Sequence, residues 1–139
     1  MRAAALLVVV AACGGASQDA TTPRQSKSAL GVFMRTQLNA PFSTTSFHLF
    51  QADGSDPIAL PAAATQLAEV AARLAEFPEP PGDSEQGRQV FYEYAAAMRN
   101  DAETLMRAVA TNQRENAVRA FEEIRKKCDS CHHFFRYGE

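Results

Sequence analysis

The sequence predicts an all-α protein built as an antiparallel up-down four-helix bundle. The strand former Ile occurs only at positions 58 and 124, whereas Ala is abundant, and this balance favours helix. Apolar residues recur at spacings of three and four, which is the period of one helix face. The connections between these periodic segments are short, and short connections make sequential helices antiparallel neighbours.

The first twelve residues have the layout of a secretory signal. Arg2 is followed by an uncharged run over residues 3–12, which is shorter than the about 20 residues that a bilayer span needs. Small residues then precede Cys13, and this stretch resembles a bacterial lipobox, whose Cys becomes lipidated. The alternative is an ordinary cleaved signal with an incidental Cys. We expect a signal peptide over residues 1–12 and a lipidated Cys13 with a flexible tether over residues 13–23. The bundle domain then covers residues 24–139, on the periplasmic side of a bacterial membrane.

The first predicted helix lies within residues 24–52. Pro41 falls inside it, and because proline lacks a backbone N–H it should kink or interrupt the helix there. The apolar residues of this segment are expected to form its inward face: Leu30, Phe33, Met34, Leu38, Phe42, Phe47 and Phe50.

The other three helices are better defined by their periodicity. The second should begin at Pro61, since proline is favoured in a first turn, and end near residue 76. Either Asp83 or Ser84 can cap the third, which runs to a turn over residues 111–113. The fourth runs from about residue 115 to residue 137 and carries one stripe of apolar and sulfur-containing residues: Ala117, Phe121, Ile124, Cys128, Cys131 and Phe135.

Length and charge exclude several classes of function. A chain of 139 residues fits one domain, and a formal net charge of −2 argues against a general nucleic-acid binder, which would carry a basic excess. We find no pair of carboxylates, nucleophile with a base, or phosphate-binding loop that stands above background. We therefore do not expect an enzyme.

The fourth helix carries the sequence Cys128-Asp129-Ser130-Cys131-His132, and C-x-x-C-H is the attachment signature of a c-type haem. The two thiols add to the porphyrin vinyl groups, and the adjacent His132 becomes the proximal iron ligand. On a helix Cys128 and His132 share a face. One covalently attached haem c is therefore the predicted cofactor.

The motif is also compatible with three roles that involve no haem. A disulfide between Cys128 and Cys131 is chemically allowed after export, but it would not need the histidine. A zinc site could use Cys128, Cys131 and His132 or His133, but it would need further ligands from elsewhere, and the chain offers only His48. A thioredoxin-like dithiol expects a βαβ setting that the sequence does not predict.

The end of the chain resembles the class II cytochromes c, the cytochrome c-prime family. Its members end with C-x-x-C-H-x-x-aromatic-Arg on the last helix of a four-helix bundle, and here Phe135 and Arg136 fill the last two positions. The resemblance covers residues 24–139, is strong in the last helix and is weak in the middle two. Pro41 and the lipoprotein-type start depart from the family's pattern.

The resemblance also implies one of two arrangements on the side of the iron opposite His132. In one sort of family member a Met of the first helix ligates the iron; in the other an apolar side chain covers it and leaves a gas-binding site. Met34 matches the first sort and is the predicted distal ligand, although Met is also common as core filler. Arg136 would contact a haem propionate or be a solvated cation at the helix end. Phe121, Ile124 and Phe135 would pack the haem edge or the bundle core.

These observations together predict a monohaem c-type cytochrome that carries single electrons outside the cytoplasm. The alternative is a five-coordinate haem protein that binds NO or CO. The expected partners are a redox protein of unknown identity and a membrane reached through the lipid on Cys13, and the resemblance allows a homodimer.

Overall fold

The computed structural model describes residues 28–51 and 56–137, with side chains up to residue 135, and every regular element in these ranges is a helix. Four helices follow in order: α1, made of the consecutive segments Ala29–Phe33, Met34–Leu38 and Asn39–Phe50; α2, Ala59–Ala75; α3, Glu85–Ala110; and α4, Arg114–Tyr137. The all-α prediction is confirmed, and four helices are compatible with a helical bundle. The predicted signal peptide, Cys13 and the tether lie outside the described residues.

Side-chain caps fix where the helices begin. The Ser28 hydroxyl accepts the Gly31 N–H at 3.1 Å, and the Ser84 hydroxyl accepts the Gly87 N–H at 2.9 Å. Ser84 rather than Asp83 is therefore the cap of α3. A left-handed Asn112, with φ of 55°, ends α3 and allows the direct turn into α4, a conformation that asparagine tolerates well.

Helix α2 begins two residues before the predicted start at Pro61. One carboxylate oxygen of Asp56 accepts the N–H groups of Ile58 at 2.8 Å and Ala59 at 2.9 Å. These two bonds, that of Ala59 first, lower the pKa of the Asp56 carboxyl because they stabilise its charged form. The acidic cap, and not the proline, sets the first turn.

Pro41 does not interrupt α1. The helix continues through it to Phe50, and the irregularity is a π-helical turn over Met34–Leu38, which ends three residues before the proline. In this turn the Asn39 N–H donates to the carbonyl of Met34, five residues earlier.

The core lies mainly between α2, α3 and α4, where the predicted apolar seams are buried. On α2 the whole seam is buried: Leu60, Ala64, Leu67, Ala71 and Leu74. In α1 the expected inward positions of Phe47 and Phe50 are wrong, because these side chains are 62% and 49% exposed. Thr45 and Leu49 are buried instead, as the spacing of three and four from Phe42 requires.

The helices contact one another unequally along their lengths. Helix α2 packs against α1 and α3, and α3 packs against α4. Helix α1 approaches α4 closely only through its Asn39–Phe50 segment. The backbones of α1 and α4 therefore diverge beside the π-helical turn and the C-terminal half of α4. Among the described helices, none combines the length and apolar character needed to cross a membrane.

Candidate functional site

A cleft of about 340 Å³ lies where α1 and α4 diverge. Its α1 wall is formed by Met34, Leu38, Asn39 and Phe42, and its α4 wall by Arg125, Cys128, Asp129 and His132. Three of the residues predicted from the sequence, Met34, Cys128 and His132, thus face one space from two helices that are far apart in the chain.

The α4 side of the cleft follows from helical spacing. Arg125, Cys128 and His132 are separated by three and four residues, so they lie on one face of the helix. His132 and Asp129 are exposed at the cleft, and Cys128 is half-buried. The neighbouring His133 is exposed and lies on another face of α4, where it and Ser130 border a surface depression together with Tyr94 of α3.

Cys131 does not line the same cleft as Met34. It faces a small cavity of about 20 Å³ on the other side of Cys128, whose lining includes Leu74, Tyr94 and Met98. Cys128 borders both spaces, whereas Cys131 borders the small cavity and not the cleft. Both cysteines are free thiols in this structure, with no disulfide between them.

The surroundings of the two thiols keep them protonated. Burial raises the pKa of Cys128 to about 11, with smaller contributions from the charges of Cys131 and Asp129. Burial alone raises the pKa of Cys131, also to about 11. At neutral pH these are therefore neutral thiols in apolar surroundings, which is unlike the low-pKa thiolates of redox-active dithiol motifs.

The aromatic and aliphatic residues predicted to pack a haem edge take different places. Phe121 and Ile124 are fully buried in the core. Phe121 meets the cleft only through Phe42, whose ring centroid lies 4.9 Å from its own. Phe135 is half-buried and packs edge-on against Phe91 at 6.5 Å, away from the cleft lining. The side chain of Arg136 lies outside the described part of the chain.

The sequence did not single out Asn39, Phe42, Arg125 and Asp129 as site residues. Arg125 could have been found, because it lies three residues before Cys128 and seven before His132 on one helix face. Asn39 could not, since its place depends on the π-helical turn. Arg125 forms an ion pair with Glu122 at 3.2 Å while it lines the cleft.

His48, which the sequence offered as a further zinc ligand, does not line the cleft. The side chain is half-buried beside Phe47, with ring centroids 5.1 Å apart. Its Nδ1 is buried and has no hydrogen-bond partner among the residues that the structure describes.

The cleft is lined by three of the four side chains that would hold a covalently attached haem, namely Met34, Cys128 and His132. A histidine and a thioether, the axial pair of many c-type cytochromes, stand on opposite walls, and a thiol lies beside the histidine. A structural zinc site needs four convergent ligands. Within residues 28–51 and 56–137, no group of three or more His, Cys, Asp or Glu side chains converges to hold a metal ion.

No protein-family model, curated protein or solved structure matches this chain.

Proposed function

We propose that this protein is a monohaem c-type cytochrome that transfers single electrons. The observation that carries the proposal is the cleft in which Met34 of α1 stands opposite Cys128 and His132 of α4. The attachment motif alone would allow a haem, but it does not predict that another helix supplies a second iron ligand. The position of Met34 is therefore an additional observation. A thioether facing the motif across an otherwise largely apolar α1 wall is what a six-coordinate electron carrier needs.

The contacts between α1 and α4 support an antiparallel up-down bundle with the haem-attachment motif on its last helix. Near the end of α1, the carbonyls of Leu49 and Gln51 accept hydrogen bonds from Arg114, which starts α4. Further back in α1, Phe42 meets Phe121. Met34, near the start of α1, lines the cleft with His132, near the end of α4. Contacts in this order are those of two helices running in opposite directions.

Each residue of the site has a defined task in this proposal. Cys128 and Cys131 form the two thioether bonds, each by adding its S–H across one vinyl group. His132 and Met34 supply the two axial ligands. A haem bound in this way supplies the one-electron redox couple. Leu38 and Phe42 limit the access of water from the α1 side. Arg125, which lines the cleft, would hold propionate charge, and Arg136 would share this task as the family resemblance implies.

We also propose export and anchoring through Cys13, which would keep the protein on the outer side of the cytoplasmic membrane while it exchanges electrons with a partner protein. Its small negative charge favours a neutral or basic docking surface on that partner. The support for export and anchoring is the signal layout of residues 1–13 in the sequence.

Expression of the full chain together with a haem-attachment system tests the proposal directly. The expected result is one covalent haem by intact mass and a reduced spectrum that does not change on adding carbon monoxide. Cys128→Ala combined with Cys131→Ala should abolish the covalent mass. A chain that carries no haem under these conditions would overturn the cytochrome proposal.

Met34→Ala tests the axial ligand, with Met106→Ala on α3 as the matched control, because Met106 does not line the cleft. Met34→Ala should open the iron to carbon monoxide and lower the reduction potential, since a thioether ligand raises it. Met106→Ala should do neither. Rapid carbon monoxide binding by the unaltered protein, unchanged in Met34→Ala, would replace the electron carrier with the gas-binding alternative.

A further inference from the structure

Met34 reaches the cleft because α1 is not a regular α-helix at that point. In an α-helix the Asn39 N–H would donate to the carbonyl of Arg35, four residues earlier. In this structure it donates to the carbonyl of Met34 instead. The π-helical turn thus contains one extra residue, and Met34 takes the place around the helix axis that Arg35 would otherwise have.

The side chains show the consequence of this shift. Leu38 and Phe42 line the cleft from α1. In an uninterrupted helix, Arg35 would lie about 20° from Phe42 around the helix axis, and Met34 would lie about 80° from Phe42. The structure has the opposite result, because Met34 is half-buried in the cleft lining while Arg35 is exposed and absent from it. The turn exchanges a cation for a thioether at this position.

Pro41 supplies a local cause for the turn. It has no N–H to donate to the carbonyl of Gln37, and in a regular helix its ring would collide with that carbonyl. Gln37 lies inside the π-helical segment, and Pro41 itself is buried. The wider turn relieves the collision, so the irregularity and its cause are adjacent in the chain.

We propose that Pro41 is a positioning residue for the distal ligand. By enforcing the π-helical turn over Met34–Leu38, it makes Met34, and not Arg35, the residue that faces His132 across the cleft. The role of Met34 as an iron ligand rests on the proposed function. The effect of Pro41 on the backbone does not, because it is argued from the hydrogen bond between the Asn39 N–H and the Met34 carbonyl.

The central experiment is Pro41→Ala in the haem-loaded full chain. Alanine is the best helix former, so α1 should become a regular helix and the protein should still fold. We expect Met34 to leave the cleft, the iron to bind carbon monoxide rapidly, and the reduction potential to fall toward that of Met34→Ala. Pro61→Ala, in the first turn of α2 where a missing N–H breaks no helical bond, is the matched control and should leave the spectrum unchanged.

A compensating variant makes the test sharper. In Pro41→Ala combined with Arg35→Met, the regular helix should present the new side chain at position 35 to the cleft and restore a spectrum indifferent to carbon monoxide. Arg35→Met with Pro41 intact should leave the spectrum unchanged, because Met34 already faces the cleft. A Pro41→Ala protein whose spectrum matches that of the unaltered protein would overturn the proposal.

A crystal structure of the Pro41→Ala variant separates this proposal from the proposed function. The expected acceptor of the Asn39 N–H is then the carbonyl of Arg35. Persistence of the bond to Met34 would overturn the role of Pro41, whatever the iron binds. Conversely, if Met34→Ala has the same spectrum as the unaltered protein, Met34 is not an iron ligand. The acceptor of the Asn39 N–H in the Pro41→Ala structure then still decides whether Pro41 causes the π-helical turn.

Discussion

The half of the molecule formed by α2 and α3 is closed, whereas the half formed by α1 and the end of α4 holds a cleft. The buried face of α2 is rich in alanine, at positions 63, 64, 68 and 71, and small side chains let another helix approach closely. The first half of α1 buries only Leu38 and Pro41, and its π-helical turn widens the helix. The cleft therefore opens beside the cysteine and histidine motif, at the place where α1 packs least against α4.

The difference between the halves should be greatest when the same substitution is made in both. Leu67→Ala in the closed half, where Leu67 is fully buried, should lower the free energy of unfolding by about 3 kcal/mol or more, because it leaves a cavity. Leu38→Ala, on the wall of the cleft, should cost about 2 kcal/mol, the low end of the usual range, since that side chain borders open space on one side. Denaturant unfolding of the two variants measures the difference. Equal losses would mean that the cleft wall is packed as tightly as the core.

A smaller effect is expected at Thr45, where α1 rejoins the core. Thr45 is fully buried, and its Oγ1 has no hydrogen-bond partner among the described residues. Thr45→Val keeps the shape and removes an unsatisfied hydroxyl, so it should raise the free energy of unfolding by about 1 kcal/mol. Thr44→Val, at the exposed neighbour, is the control and should change little. Destabilisation by Thr45→Val would show that the hydroxyl has a partner in solution.

The smallest effect concerns Asp101, in the groove between α3 and α4. Partial burial raises the pKa of its carboxyl, Lys127 opposes this shift, and Glu123 adds to it. Between the unfolded value near 3.8 and the raised folded value, the folded state binds more protons. Stability should therefore fall slightly as pH rises through this window, and Asp101→Asn should lack that fall. Melting temperatures of both proteins from about pH 3.5 to pH 7 test it; parallel curves would contradict it.

Much of the fold could be predicted from the sequence because its signals are local. The seam from Leu60 to Leu74 repeats at helical spacing, and Ser84 is a helix cap by its chemistry. The cysteines and His132 were found because their spacing is fixed by the geometry of the group that they would hold. The start of α2 was misplaced because the carboxylate of Asp56, which lies before the helix, competes with the preference of Pro61 for a first turn.

The amino-acid sequence was enough to give the number of helices, the inward seams of α2, α3 and α4, and the motif on the last helix, because these depend on neighbours within about four residues. Tertiary packing was needed to place Met34 in the motif's cleft and Cys131 against a separate small cavity.

Packing was also needed to settle how α1 accommodates Pro41, since the helix has a π-helical turn before the proline and continues through it to Phe50. A lost helical hydrogen bond can be absorbed either by a break or by a wider turn, and nothing local chooses between them. Packing of Leu38, Thr45 and Leu49 against the other helices favours the wider turn, because it keeps the rest of α1 buried.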